Sequence, residues 1–124
     1  MPRAFPYSRI LVVDDEAEVC DALKGFLEEE QFTVEVACDG ENALSKIDEF
    51  KPHCVLLDIR MPYLSGVEAL KMIKLRQPDT EVIMVTAVAN IKTAEDCMRS
   101  GAFGYITKPV DLNYLLKEIL NSLQ

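Results

Sequence analysis

Asp14, Asp15, Asp58, Thr86 and Lys108 each stand directly past a short apolar run. Ile10-Leu11-Val12-Val13 leads into Asp14-Asp15, and Cys54-Val55-Leu56-Leu57 into Asp58. Val82-Ile83-Met84-Val85 leads into Thr86, and Gly104-Tyr105-Ile106-Thr107 into Lys108-Pro109. If these runs are parallel buried strands, their chemical groups gather on the carboxyl edge of one sheet, where open α/β sheets bind ligands. Carboxylates, a hydroxyl and an ammonium converging there suit a divalent metal and a phosphoryl group.

The elements that must position them follow from periodicity. Strand-like and helix-like segments alternate along the whole chain. Strands are expected at about 9–13, 33–37, 53–57, 81–85 and 103–106, where apolar or alternating residues run between turn signals. Helices are expected at about 17–30, 41–49, 66–76, 91–100 and 112–122. Their inward residues are read as Val19, Leu23, Phe26 and Leu27; Ala43, Leu44 and Ile47; Val67, Leu70, Met72 and Ile73; and Leu112, Leu115, Leu116, Ile119, Leu120 and Leu123. The fourth helix is weakly amphipathic and closes on Gly101. Residues 1–8 read as a short N-terminal tail and 9–124 as one domain.

Continuous apolar strands between helices mean a parallel sheet covered on both faces. Right-handed crossovers leave few topologies, and the order 2-1-3-4-5 fits. It puts Thr33–Ala37, the one alternating strand, at an edge, and it makes the ends of the other four neighbours. Neighbouring strands lie about 4.8 Å apart, so Asp58 should face Asp14 and Asp15 at roughly 5 Å. Carboxylates so close repel by about 3 kcal/mol at an effective dielectric near 20, unless a cation enters. Oxygen ligands at a wet edge suit magnesium, with manganese as the alternative. Lys108 starts two strands away, about 10 Å between backbones, a gap that its long stem covers in large part.

Bulk properties narrow the function classes. A net charge of −8 in 124 residues argues against direct nucleic-acid binding by the chain's own field. No apolar run approaches the roughly 18 residues of a membrane span. The start, Met1-Pro2-Arg3-Ala4-Phe5-Pro6-Tyr7, lacks the apolar stretch of a signal peptide, so the expected location is cytoplasmic. Cys20, Cys38, Cys54 and Cys97 form no C-x-x-C pair, and zinc or disulfide use is not expected. Cys20, Cys54 and Cys97 read as small buried hydrophobes.

Four motifs then match one family. Val12-Val13-Asp14-Asp15-Glu16, Leu57-Asp58-Ile59-Arg60-Met61-Pro62 with Gly66, Val85-Thr86-Ala87, and Gly101 through Pro109 follow in order, each at a strand end. Over nearly its whole length the chain resembles the receiver domain of bacterial two-component response regulators. The resemblance implies a flavodoxin-like (βα)5 three-layer sandwich, the topology that periodicity reaches separately. It implies that Asp58 accepts a phosphoryl group from a phosphohistidine on a sensor histidine kinase or phosphotransfer protein. Asp15 and Asp58 would ligate magnesium directly, with the main-chain carbonyl of Arg60; Asp14 would bind through a metal water. Lys108 and Thr86 would each hold a phosphoryl oxygen, and Tyr105 would be the switch aromatic. The Lys108–Pro109 bond would be cis. The module would be a phospho-switch that assists its own phosphorylation and dephosphorylation, not a metabolic enzyme. It would signal to an effector domain or a second copy through helix 4, strand 5 and helix 5. Val110 stands where many relatives carry Phe, which bears on the choice of dimer face.

Simpler readings exist for each residue alone. Asp14 and Asp15 could only start a helix, since acidic residues favour helix N-termini. Thr86 could simply end a strand, Lys108 could be a solvated charge, and Tyr105 could be packing. Coincidence at one sheet edge argues against all of these together. A haloacid dehalogenase-like phosphatase would need Asp-x-Asp after the first strand. A flavodoxin-like flavin binder would need a Ser/Thr/Gly-rich phosphate loop there, and Asp14-Asp15-Glu16 would repel that phosphate. His53 precedes its strand and reads as a surface or edge histidine, not a ligand.

Overall fold

The computed structural model describes residues 7–124. Ten elements alternate: β1 (Arg9–Val13), α1 (Ala17–Glu29), β2 (Thr33–Ala37), α2 (Gly40–Phe50), β3 (Cys54–Leu57), α3 (Gly66–Arg76), β4 (Glu81–Thr86), α4 (Ile91–Arg99), β5 (Gly104–Thr107) and α5 (Leu112–Ser122). The strands form one parallel sheet in the order β2-β1-β3-β4-β5. This is the expected flavodoxin-like topology, with the alternating strand at an edge. Of the expected tail, residues 1–6 lie outside the described residues. Tyr7 and Ser8 already join the sheet edge: the Tyr7 N–H donates to the Gln31 carbonyl, and the Thr33 N–H to the Ser8 carbonyl.

Alternate residues of the same strands build two cores. Leu11, Val13, Val55, Leu57, Val82 and Met84 pack with α2, α3 and Cys97 of α4. Ile10, Val12, Cys54, Leu56, Ile83, Val85 and Ile106 pack with α1 and α5. That period of two is why the central strands read as unbroken apolar runs: both of their faces are buried. Asp39, Ser65, Asn90 and Asp111 each cap a helix by accepting a backbone N–H, worth about 1 kcal/mol per cap.

Several helix positions differ from expectation. Met72 and Leu112 are 40% exposed; each stands at a helical phase just off the buried stripe. In α1, Cys20 rather than Val19 is fully buried, and Val19 and Phe26 pack at the core's margin. In α4 only Cys97 is buried, so this helix is held by little apolar contact.

At the opposite, amino edge of the sheet, His53 completes the β1–β3 ladder with its ring. Its Nδ1 accepts the Arg9 N–H at 2.9 Å, while its own N–H donates to the Arg9 carbonyl at 2.8 Å. Burial, then the Arg9 charge, push the His53 pKa below its ordinary value. The neutral ring is therefore the native form. Its contribution is full above the unfolded pKa and is lost as pH falls through the lower folded one. Urea unfolding of the parent and of His53→Ala should give a stability gap that narrows from pH 7.5 to pH 5. A gap that widens on acidification would refute this.

Candidate functional site

All five expected residues stand on the carboxyl edge, where Lys108 touches Asp14 and Asp58, Asp15 clusters with Asp14, and Thr86 bonds the Val88 backbone. The ladder carries on past the strand ends: the Asp58 N–H donates to the Val13 carbonyl at 3.0 Å, and the Lys108 N–H to the Thr86 carbonyl at 2.8 Å. Asp14 and Asp58 are buried, at 3% and 5% exposure. The Lys108–Pro109 bond is cis, as expected. The Lys108 ammonium reaches Asp14 Oδ2 at 2.7 Å and Asp58 Oδ2 at 3.2 Å. Its partial burial opposes the charge, but the hydrogen bond and charge of Asp14, then Asp58, outweigh that and raise its pKa. Lys108 is thus the cation that lets two carboxylates share one buried edge.

The other carboxylate oxygens are held by backbone. Asp58 Oδ1 accepts the Ile59 N–H at 2.7 Å, and Asp14 Oδ1 accepts the Glu16 N–H at 2.9 Å. The loop after β3 returns tightly. The Gly66 N–H donates to the Ile59 carbonyl at 2.9 Å. A Cβ on Gly66 would lie 2.1 Å from the Asp58 carbonyl oxygen, so only glycine lets α3 start this close to the acidic residue. Arg60, whose carbonyl was expected in the site, lies in this loop two residues past Asp58.

Thr86 is fully buried, and its Oγ1 accepts the Val88 N–H at 3.2 Å. The Val88 carbonyl in turn accepts the Tyr105 hydroxyl. Burial raises the Tyr105 pKa, with the Cys97 and Asp58 charges adding to it, so the phenol stays a donor at neutral pH. Val88 therefore links the buried threonine to the half-buried tyrosine through its own backbone. Sequence reasoning missed it, because backbone hydrogen bonds leave no mark on residue type.

Asp15 is exposed beside the buried pair. Carboxylate oxygens of Asp14, Asp15 and Glu16 lie within 4.8 Å of one another. An all-oxygen donor set open to water on one side fits a magnesium ion, which keeps several waters. Glu16 joins this cluster although only its neighbours were expected to ligate; the signal was its adjacency to Asp15.

The match to the response regulator receiver domain covers residues 10–120. The chain belongs to that family. The regulatory protein AtoC of Escherichia coli is 39% identical over 117 residues, which are 94% of this chain and 25% of that one. The chain thus spans about a quarter of the length of AtoC, and similarly short shares of the ZraR and NtrX regulators. A CheY-like receiver domain from Methanospirillum hungatei superposes with a TM-score of 0.91 at 35% identity, covering 94% of this chain and 93% of that one. CheY in the CheX-CheY-BeF3-Mg complex of Borrelia burgdorferi gives 0.90 at 29% identity, over 94% and 90%. Receiver domains are signalling modules that bind magnesium at an acidic pocket, and this receiver domain presents such a pocket. The phosphatase and flavin-binding alternatives are not favoured by this membership. Among the described residues, no helix is long and apolar enough to cross a membrane.

Proposed function

We propose that Asp58 is the phosphoacceptor of this receiver domain, taking its phosphoryl group from a phosphohistidine of a sensor histidine kinase or phosphotransfer protein. One observation carries the reading: Asp58 is a buried carboxylate that shares the Lys108 ammonium with Asp14 at the sheet edge. The Asp58 oxygen attacks phosphorus, the P–N bond breaks, and the histidine nitrogen leaves with the electron pair and is protonated. Asp15, Asp58 and the Arg60 carbonyl are the proposed direct magnesium ligands, with Asp14 acting through water and manganese as a substitute. The bound metal would neutralise charge on the phosphoryl oxygens. Lys108 would turn from Asp58 to one phosphoryl oxygen, and Thr86 would donate its hydroxyl to another. The same groups would assist hydrolysis of the aspartyl phosphate, so the domain, residues 9–124, works as a cytoplasmic phospho-switch.

Magnesium tests the acid pocket. At ten times its Kd, magnesium should stabilise the parent by about 1.4 kcal/mol, which is roughly 4–8 °C in Tm. Asp15→Asn should lose this shift. Equal shifts in both proteins would place the metal elsewhere.

Phosphorylation would draw Thr86 toward Asp58 and pull on the Val88 N–H bound to it. The Val88 carbonyl would then release or carry the Tyr105 hydroxyl. This relay ends at α4, β5 and α5, where Ile91 is 78% and Met98 46% exposed, a surface fit for an effector domain or a second copy. Thr86→Ala should still take beryllofluoride at Asp58, yet amide shifts over residues 90–115 should shrink to under about half, because a ligand moves an equilibrium only by its differential affinity. Parent-sized shifts would rule Thr86 out as the coupling residue.

A further inference from the structure

Two thiols outside the phosphoryl machinery flank the end of β1. Cys20, in the first turn of α1, is 2% exposed, and its thiol donates to the Asp14 carbonyl at 3.3 Å. On the other side, the Asp14 N–H donates to the Ala37 carbonyl at 3.2 Å and carries the Val13–Ala37 register one residue further. Cys38 therefore stands beside Asp14, about one strand spacing, 4.8 Å, away between backbones. Side chains alternate along β2: Val34 and Val36 face the core layer that holds Cys20, and Ala37 faces the other. β2 ends at Ala37, and Cys38 follows it in the turn to α2. Burial, then the charges of Asp14 and Cys38, push the Cys20 thiol up to about 11. Both are free thiols, and Cys38 is exposed.

We propose that Cys20 and Cys38 are a modification site: a hydroperoxide closes them into a reversible disulfide that weakens cation binding at the Asp14-Asp15 loop. The second half rests on the magnesium reading above. The Cys38 sulfur attacks the outer peroxide oxygen, the O–O bond breaks, and water or an alcohol leaves, which gives a Cys38 sulfenic acid. The Cys20 sulfur then attacks the Cys38 sulfur. The S–S bond forms, the S–O bond breaks, and the hydroxyl departs as water with the Cys20 proton. Two thiols lose two electrons, and the hydroperoxide gains them. Access sets the order, because only Cys38 meets solvent. Closure removes the thiol proton from the Asp14 carbonyl and ties the first turn of α1 to the end of β2. Asp14 lies between these anchors, and Asp15 and Glu16 follow it into α1. Loss of outer contacts of this kind weakens metal affinity by about 10-fold or more.

The test treats the whole protein with hydrogen peroxide, then maps peptides without reductant and titrates magnesium by calorimetry. The expected result is a Cys20–Cys38 linked peptide that dithiothreitol reverses, with magnesium affinity about 10-fold weaker in the linked form. Cys38→Ser, a change at an exposed position, should keep its magnesium affinity through the same treatment. Absence of the linked peptide, or Cys38 oxidised without Cys20, overturns the pairing. A linked protein with unchanged magnesium affinity overturns the coupling. If the reduced parent binds no magnesium, the metal reading fails instead, and the peptide map still decides the disulfide.

Discussion

Asp58→Asn is expected to accept less than about 1% of the phosphoryl group that the parent takes from a small phosphodonor with magnesium, because the attacking carboxylate oxygen is gone. The loss should be chemical rather than structural. The asparagine carbonyl can still accept the Ile59 N–H that Asp58 Oδ1 accepts at 2.7 Å. Lys108 keeps its closer partner, Asp14, at 2.7 Å. Circular dichroism and Tm should therefore match a folded parent while intact mass shows no phosphoryl adduct. Asp14 is the only other buried carboxylate among the described residues. An adduct of parental size in Asp58→Asn would move the phosphoacceptor to another carboxylate.

Lys108→Met should separate the two uses of the same edge. The ammonium competes with any metal for Asp14 and Asp58, which it touches at 2.7 and 3.2 Å. Even at the dielectric of water, a divalent and a unit charge about 5 Å apart repel by about 1.7 kcal/mol. Removing the ammonium should tighten magnesium binding about 10-fold or more. Phosphoryl transfer should fall by about 10²–10³, the usual cost of losing one preorganised donor to a developing oxyanion. The apo variant should also be less stable than the parent, since two buried carboxylates then face each other without a counter-ion. Calorimetry and phosphorylation kinetics on one preparation check both signs. Weaker magnesium binding in Lys108→Met would show that the lysine supports the metal rather than replacing it.

The fold was legible because its physics is local and periodic. Strands buried on both faces must be apolar throughout, and a half-covered edge strand must alternate; β1 and β2 display these two patterns side by side. Helix starts fall at or within one residue of the positions that periodicity gave, and Asp39, Ser65, Asn90 and Asp111 cap four of them. Positions at the rim of a helix stripe, such as Met72 and Leu112, were not, because their burial depends on how far a neighbouring element reaches across them.

For the site, the sequence by itself determined which groups could meet: Asp14, Asp15, Asp58, Thr86 and Lys108 all follow strands, and parallel strands deliver their ends to one edge. The tertiary structure alone decided how they meet. Whether Lys108 bridges Asp14 and Asp58 depends on two side chains separated by 94 and 50 residues. The Thr86–Val88–Tyr105 relay runs through backbone atoms that every residue type carries. Cys20 and Cys38, unremarkable at their sequence spacing, come to flank Asp14 only because β2 pairs with β1 in one register and α1 folds back beside them. Hydrogen-bond partners across such separations are fixed by packing, which composition and periodicity do not encode.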